Sequence, residues 1–349
     1  MFSIFAFCLK HIYGSLTRLA QKTQIIYNNP YCIIYILLMD RVNMKIGIPK
    51  AFFYYRYGAL WESFFDALGV ETILSPDTNR EIVSRGSSLA VDESCLSNKI
   101  YLGHVAWLMD KCDYVLVPRI GQQGRAGTVC TRFHAVYDMI RNTFRDTDLK
   151  LLHYNIDTRD KEREPAAFVK LGRALGKNRA QSMFAYWTAK QSERAEQMIA
   201  ASEQERLLES DGIKVLVIAH PYNIYDKYVG APVLSALKEM DAVPVLGCAA
   251  DPKKAAAMSV QLSDTLPWVT SKELIGAIAM WRDRVDGIII MSTFPCGPDS
   301  MVNEIVIRRV KDKPILNLIL DGQEGTAGLE TRLESFIDII RYKRDSNVG

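Results

Sequence analysis

Short apolar runs alternate with segments of helical pattern from Met44 onward, and this alternation limits the chain to one fold class. Lys45–Ile48 and Glu71–Leu74 are two such runs. Asp113–Val117 is a nearly continuous apolar run, which favours a strand buried on both faces. Helical segments between successive strands favour crossover connections and parallel pairing. The sequence therefore predicts an α/β protein with mainly parallel sheets.

The pattern divides the chain after residue 43 into three parts. Residues 44–157 form a first α/β unit and residues 211–349 a second. Residues 158–210 are charged, lack a strand signal and place Phe168 and Leu171 on one helical face. A helical connector is expected there.

The second unit repeats the alternation of strand and helix. Thr270 and Glu273 have the spacing of a capping box, with the threonine at the start of a helix. The predicted strands are Lys214–Ala219, Val243–Gly247, Gly287–Met291 and Ile315–Leu320, and the predicted helices lie near 229–240, 271–283, 298–311 and 326–342.

Residues 1–43 do not continue this pattern. They lack a basic region before the apolar run at 2–8, and they show no clear small-residue cleavage site. The longest apolar stretch, Tyr31–Met39, is shorter than the roughly 18 residues that span a bilayer. Two interpretations stay open: an upstream extension from a misassigned translation start, or an N-terminal helix that packs on the first unit.

Charge and cysteine content narrow the class of protein. The formal net charge of +3 over 349 residues is too small to indicate a nucleic-acid or membrane partner. Seven widely spaced cysteines do not form a disulfide framework. They suit a reducing cytoplasm, where cysteines serve as core residues, metal ligands or redox groups.

Three cysteines follow strands or open helices. Cys296 comes shortly after the strand at 286–291, Cys95 opens a helix, and Cys130 follows a glycine-rich loop. In an open α/β sheet, ligands collect outside the carboxyl ends of the strands. Thiolates suit zinc and iron–sulfur centres, although no local spacing here matches a known metal motif. The three thiols are candidates for one metal centre, and each taken alone is also compatible with a structural cysteine.

Other polar residues are candidates around that centre. Cys248 also follows a strand and is the candidate fourth ligand. Lys99, one helical turn after Cys95, would tune a cluster or lie on a solvated face. His220 would orient a substrate or pack in a proline-containing turn, and Glu324 precedes the last helix, where free amides favour an anion. Lys99, His220 and Glu324 are therefore the candidate catalytic residues.

Together these motifs resemble the acyl-CoA dehydratase activase-related proteins. That family belongs with the D-component of the 2-hydroxyglutaryl-CoA dehydratases and with the double-cubane-cluster proteins. The resemblance runs from Met44 to about residue 342, and it lies in the ordered set of motifs at 46–57, 91–95, 113–119, 220–226, 294–300 and 327–336.

The resemblance implies two Rossmann-like domains that hold a [4Fe–4S] cluster, or a larger iron–sulfur cluster, through Cys95, Cys130 and Cys296. It also implies an ATP-dependent activase as the partner that delivers a low-potential electron. In the dehydratases, that electron allows water loss from a 2-hydroxyacyl-CoA through a ketyl radical. This chain departs from the family in having Thr131 after Cys130, where the usual residue is proline.

The expected function is therefore that of a cytoplasmic lyase resembling 2-hydroxyacyl-CoA dehydratases, or of a reductase component. The expected substrate is an acyl-CoA or another small molecule, and we expect a homo- or hetero-oligomer. The alternative is a metal-free two-domain subunit for ligand binding or activase assembly, without catalysis of its own. Zinc in place of iron is a third hypothesis.

Overall fold

The structure, a computed structural model, describes residues 42–122, 127–322 and 327–346. The strands are β1 Val42–Ile48, β2 Val70–Leu74, β3 Tyr114–Leu116, β4 Arg119–Ile120, β5 Leu151–Leu152, β6 Asn155–Ile156, β7 Ile213–Ile218, β8 Ala242–Leu246, β9 Gly287–Thr293 and β10 Ile315–Leu320. The α-helices are α1 Tyr54–Ala67, α2 Arg80–Leu89, α3 Leu96–Leu108, α4 Thr131–His134, α5 Val136–Thr143, α6 Glu164–Ala174, α7 Arg179–Leu208, α8 Pro221–Ile224, α9 Ala231–Glu239, α10 Pro252–Met258, α11 Val269–Trp281, α12 Gly297–Arg309 and α13 Ala327–Ser346.

The first unit contains a parallel sheet in the order β2-β1-β3-β5. The short parallel pair β4–β6 continues its β3–β5 edge. Pro118 separates β3 from β4, and its ring nitrogen has no N–H to donate. The hydrogen bonds resume on either side: Val117 donates to the Leu152 carbonyl at 2.8 Å and Arg119 to the Tyr154 carbonyl at 2.9 Å.

The second unit contains a parallel sheet in the order β10-β9-β7-β8. Successive residues of β7 face opposite sides, so Val215 and Val217 join one apolar cluster while Leu216 and Ile218 join another. Burial on both faces explains why these strands are continuous apolar runs. The prediction of an α/β protein with mainly parallel sheets is confirmed.

Residues 158–210 contain α6 and α7, which contact both units. Helix α6 packs on the first unit, and Gln204 near the end of α7 accepts from the Leu246 amide of the second. Phe168 and Leu171 of α6 are buried in the same apolar cluster as α1 and sheet one. Helix α7 is 30 residues long and is capped by Asn178, whose side chain accepts from the Gln181 amide. Its sequence is polar on most faces, and no helix in the described ranges is both long and apolar enough to cross a bilayer.

The start of α11 differs from the prediction. The helix begins at Val269, its N-cap is Trp268, and no side chain caps it, so the capping box of Thr270 with Glu273 is wrong. Glu273 instead pairs with Arg56 of α1. The local spacing favoured a cap, but a buried cation from the other unit competes more strongly for the carboxylate.

Candidate functional site

Each of the three predicted cysteines occupies the same local position, the residue immediately before a helix. Cys95 precedes α3, Cys130 precedes α4 and Cys296 precedes α12. None of the thiols completes a cap hydrogen bond with its helix. Sulfur is a weak acceptor, so these helix starts leave their thiols available to another partner.

Two sets of backbone hydrogen bonds bring these helix starts together. The amide after Cys95, that of Leu96, donates to the carbonyl of Phe294 at 2.9 Å, in the turn before Cys296. The segment before Cys130 pairs with the segment before α11 through an isolated parallel bridge between Thr128 and Trp268. The Cys95 and Cys296 segments are thus tied to each other, and the Cys130 segment is tied to the second unit at the start of α11.

The three cysteines line one cleft. It encloses about 450 Å³ of space between atoms, including a part that is open to solvent. The other residues that line it are Phe52, Ser97, Arg132, Phe133, His220, Tyr222, Trp268, Thr270, Ser271, Thr293, Pro298 and Asp299.

The cleft lies where the strand order of each sheet reverses. In sheet one the order reverses between β1 and β3, and in sheet two between β7 and β9. Phe52 follows β1, His220 follows β7 and Cys296 follows β9, so all three lie at carboxyl ends beside a reversal. These crevices are the usual ligand sites of open parallel sheets.

Burial dominates the electrostatics of the thiols. It raises the pKa of Cys95, Cys130 and Cys296 above that of an ordinary thiol. The positive charge of Arg132 acts in the opposite direction and lowers the pKa of Cys95 and Cys130. Since a metal binds the thiolate, metal binding here would release protons.

Tyr222 lines the same cleft as the three cysteines. Burial raises the pKa of its hydroxyl well above the ordinary value, and nearby acidic groups, Asp299 first among them, add to this effect.

Thiolates are donors that both iron–sulfur centres and zinc accept. Within the described ranges, no three Cys, His, Asp or Glu side chains are close enough together to form a ready site for one metal ion. The three thiols therefore fit an iron–sulfur cluster in donor type alone.

A buried polar pair lies against the same cleft. Nε2 of His220 is 2.9 Å from Oδ1 of Asp299, and the ring of His220 stacks on Tyr222 with centroids 5.0 Å apart. Although burial raises the pKa of Asp299, the charge and hydrogen bond of His220 lower it below its ordinary value.

The remaining candidates fall outside this arrangement. Lys99 is not among the residues that line the cleft, and Glu324 lies outside the described residues. Cys248 does not line the cleft either; it interacts with Tyr225, and burial raises its pKa to about 12. His134 has the spacing of a further ligand, one helical turn after Cys130, but it lies 3.5 Å from Asp157 and does not line the cleft.

Sequence reasoning missed Asp299, Tyr222 and Arg132. A signal existed for each, because each lies two or three residues from a predicted site residue: Asp299 from Cys296, Tyr222 from His220 and Arg132 from Cys130. What the sequence lacked was any indication that these side chains turn towards the cleft.

Comparison with known proteins gives one family. A crystal structure of ZnuA aligns at 11% identity over 86% of this chain and 99% of that chain, but its TM-score of 0.24 is too low to indicate a shared fold. No curated protein matches the sequence. Residues 45–247, more than half of the chain, match the family described as the CoA enzyme activase uncharacterised domain (DUF2229). The chain belongs to that family.

Proposed function

We propose that this chain binds an iron–sulfur cluster through Cys95, Cys130 and Cys296 and receives low-potential electrons for it from an ATP-dependent activase. The reaction would be dehydration of a 2-hydroxyacyl-CoA or a related reduction, as in the 2-hydroxyacyl-CoA dehydratase superfamily. The observation that supports this most is the cleft itself, where thiols from three separate helix starts face one space. Membership of an activase-related family supports the choice of partner.

The chain's own residues suit an anionic cluster. Helices α3 and α12 begin at Cys95 and Cys296, so the positive ends of two 13-residue helices lie beside these thiols. Arg132 adds a positive charge at Cys130. When bound, a cluster would supply one-electron transfer at low potential.

Aromatic side chains limit water on one side of the cleft. Phe52 packs edge-on to Phe133 at 4.9 Å and to Tyr222 at 5.8 Å, measured between ring centroids. Phe52 and Phe133 are also buried. A dry wall of this kind lowers the local dielectric and strengthens each charge interaction inside the cleft.

Metal content tests the proposal directly. The full chain is purified without oxygen, reconstituted with iron and sulfide, and examined by elemental analysis and electron paramagnetic resonance. We expect brown protein with stoichiometric iron and sulfide and a cluster signal on reduction. Colourless, iron-free protein would contradict the proposal, and zinc as the only metal would replace it with the zinc hypothesis.

Cysteine variants assign the ligands. Replacing Cys95, Cys130 or Cys296 by alanine should each remove most of the bound iron, because a cluster that loses one thiolate is weakly held. Cys112→Ala is the matched control: this thiol donates to the Leu108 carbonyl at 3.3 Å, away from the cleft, and the variant should keep its iron. If the three variants keep their iron, these cysteines are not its ligands. If the wild type and all four variants bind no iron yet remain folded, the metal-free subunit becomes the better interpretation.

A further inference from the structure

His220 and Asp299 leave hydrogen-bonding capacity unused inside the cleft wall. Their exposed fractions are 5% and 6%. Nδ1 of His220 and Oδ2 of Asp299 are buried and have no hydrogen-bond partner among the described residues. Native proteins pair almost all buried polar atoms with protein, water or ligand. Two such atoms on adjacent side chains of one cleft therefore point to a missing partner.

The pairing between the two side chains determines what that partner must offer. An ionised carboxylate only accepts hydrogen bonds, so Asp299 receives the proton on Nε2 of His220. Oδ2 then needs a donor. The Cys296 thiol interacts with this carboxylate, but it is a weak donor and loses its proton when it binds a metal.

Nε2 of His220 faces Asp299, so Nδ1 points to the other side of the ring and needs a partner of its own. A hydroxyl group donates one hydrogen bond and accepts others, so it satisfies Nδ1 in either protonation state of the ring. Hydroxyl groups of the protein already occupy the cleft beside this pair: Ser97 donates to Asn223 at 2.8 Å and lies 2.9 Å from the Thr293 hydroxyl. Those two hydroxyls pair with each other and do not supply the hydrogen bond that His220 lacks.

We propose that His220 and Asp299 form a recognition site for a hydroxyl group on a small molecule bound in the cleft, with Asp299 as the residue that positions the His220 ring. The identity of the ligand as a 2-hydroxyacyl thioester rests on the function proposed above. The hydrogen bond at Nδ1 does not depend on a bound cluster, since His220 is not a proposed ligand of iron.

Nitrogen NMR tests the positioning role without any ligand. The full chain is labelled with ¹⁵N in the rings of its five histidines, and the His220 signals are assigned from the His220→Gln variant. We expect Nε2 to carry the proton at neutral pH and this preference to weaken in Asp299→Asn but to persist in Asp299→Glu. An exposed control, Asp283→Asn, should leave the signals unchanged. A proton on Nδ1 alone in the wild type would overturn the proposal.

Recognition of the hydroxyl group is tested with pairs of ligands that differ only in that group. The probes are lactoyl-CoA against propionyl-CoA and 2-hydroxyglutaryl-CoA against glutaryl-CoA, with binding measured by calorimetry. At least one hydroxylated probe should bind about 10- to 100-fold more tightly than its partner, because the deoxy compound leaves the buried pair unsatisfied. The His220→Ala variant should lose this preference, and the His220 nitrogen signals should move only with the hydroxylated probe.

The outcomes separate this proposal from the cluster proposal. Both measurements are made on iron-free protein and on reconstituted protein. Hydroxyl preference in a chain that never binds iron would support the recognition site and contradict the cluster. A cluster-bearing protein with equal affinity for every pair, or with no response of His220 to any probe, would overturn the recognition site alone.

Discussion

His104 lies in the middle of α3, where its ring is fully buried and its Nε2 lies 2.9 Å from the Thr78 hydroxyl. Burial, assisted by the positive charge of Lys50, lowers the pKa of His104 to about 3. An unfolded chain has a histidine pKa of about 6.5, so between these values the unfolded state binds a proton that the folded state excludes. The stability contribution is complete above about pH 6.5 and is lost as the pH falls towards 3.

His104→Gln should therefore reduce the acid sensitivity of the fold. The free energy of unfolding of the wild type should fall by up to about 1.4 kcal/mol for each pH unit below 6.5 through this residue alone. Denaturant unfolding at pH 7.5, 6.0 and 5.0 measures this dependence in the wild type and in His104→Gln. If the free energy of unfolding changes with pH in the same way in the wild type and in His104→Gln, the buried ring does not contribute to the acid sensitivity of the fold.

At the scale of elements, the contact between α2 and α3 depends on two glycines. A Cβ on Gly86 would lie 1.7 Å from the Lys99 carbonyl oxygen, and one on Gly103 would lie 2.0 Å from the Ile82 carbonyl oxygen. The obstacles are backbone atoms, so the helices themselves must separate to admit a methyl group. Because α3 begins at Cys95, this contact also helps to place one of the three thiols.

Gly86→Ala should therefore destabilise the protein by about 1–3 kcal/mol despite the higher helix propensity of alanine. Gly328→Ala in α13 is the matched control, since its Cβ would meet no atom within 4 Å. That variant should be neutral or up to about 1 kcal/mol more stable. Thermal unfolding compares the two, and equal stability of both variants would contradict the close packing of α2 and α3.

At the scale of the whole molecule, an ion pair joins the two units beside the cleft. The guanidinium of Arg56 in α1 donates to both carboxylate oxygens of Glu273 in α11, at 2.5 and 2.9 Å. The side chains are only 22% and 15% exposed, so solvent screens the pair weakly. Its position between the units suggests that it maintains the width of the cleft.

A double-mutant cycle should measure this coupling. Arg56→Met and Glu273→Gln should each lower the free energy of unfolding. The loss in the double variant should be smaller than the sum of the two single losses by about 1–3 kcal/mol. Unfolding at low and high salt supplies the control, because the coupling of a half-buried pair should fall only modestly with ionic strength. Strict additivity would show that the pair does not hold the units together.

Much of the fold was predictable because its determinants are local. The strand at 287–293 is an apolar run whose burial follows from its own composition, and Gly69, with φ of 68°, follows the end of α1 in the left-handed conformation that glycine adopts easily. The cysteines could be placed at helix starts for the same reason. Glu273 was assigned wrongly because its partner lies 217 residues away and leaves no trace in the local pattern.

The sequence by itself determined the alternation of strands and helices, the parallel sheets and the placement of three cysteines at helix starts, since periodicity and turn residues act over a few positions. Only the tertiary structure decided that the three thiols face one cleft, that Asp299 pairs with His220, and that Cys248 lies apart from them. These outcomes depend on contacts between distant segments, such as Leu96 with Phe294 and Thr128 with Trp268. The packing of the whole chain selects those contacts.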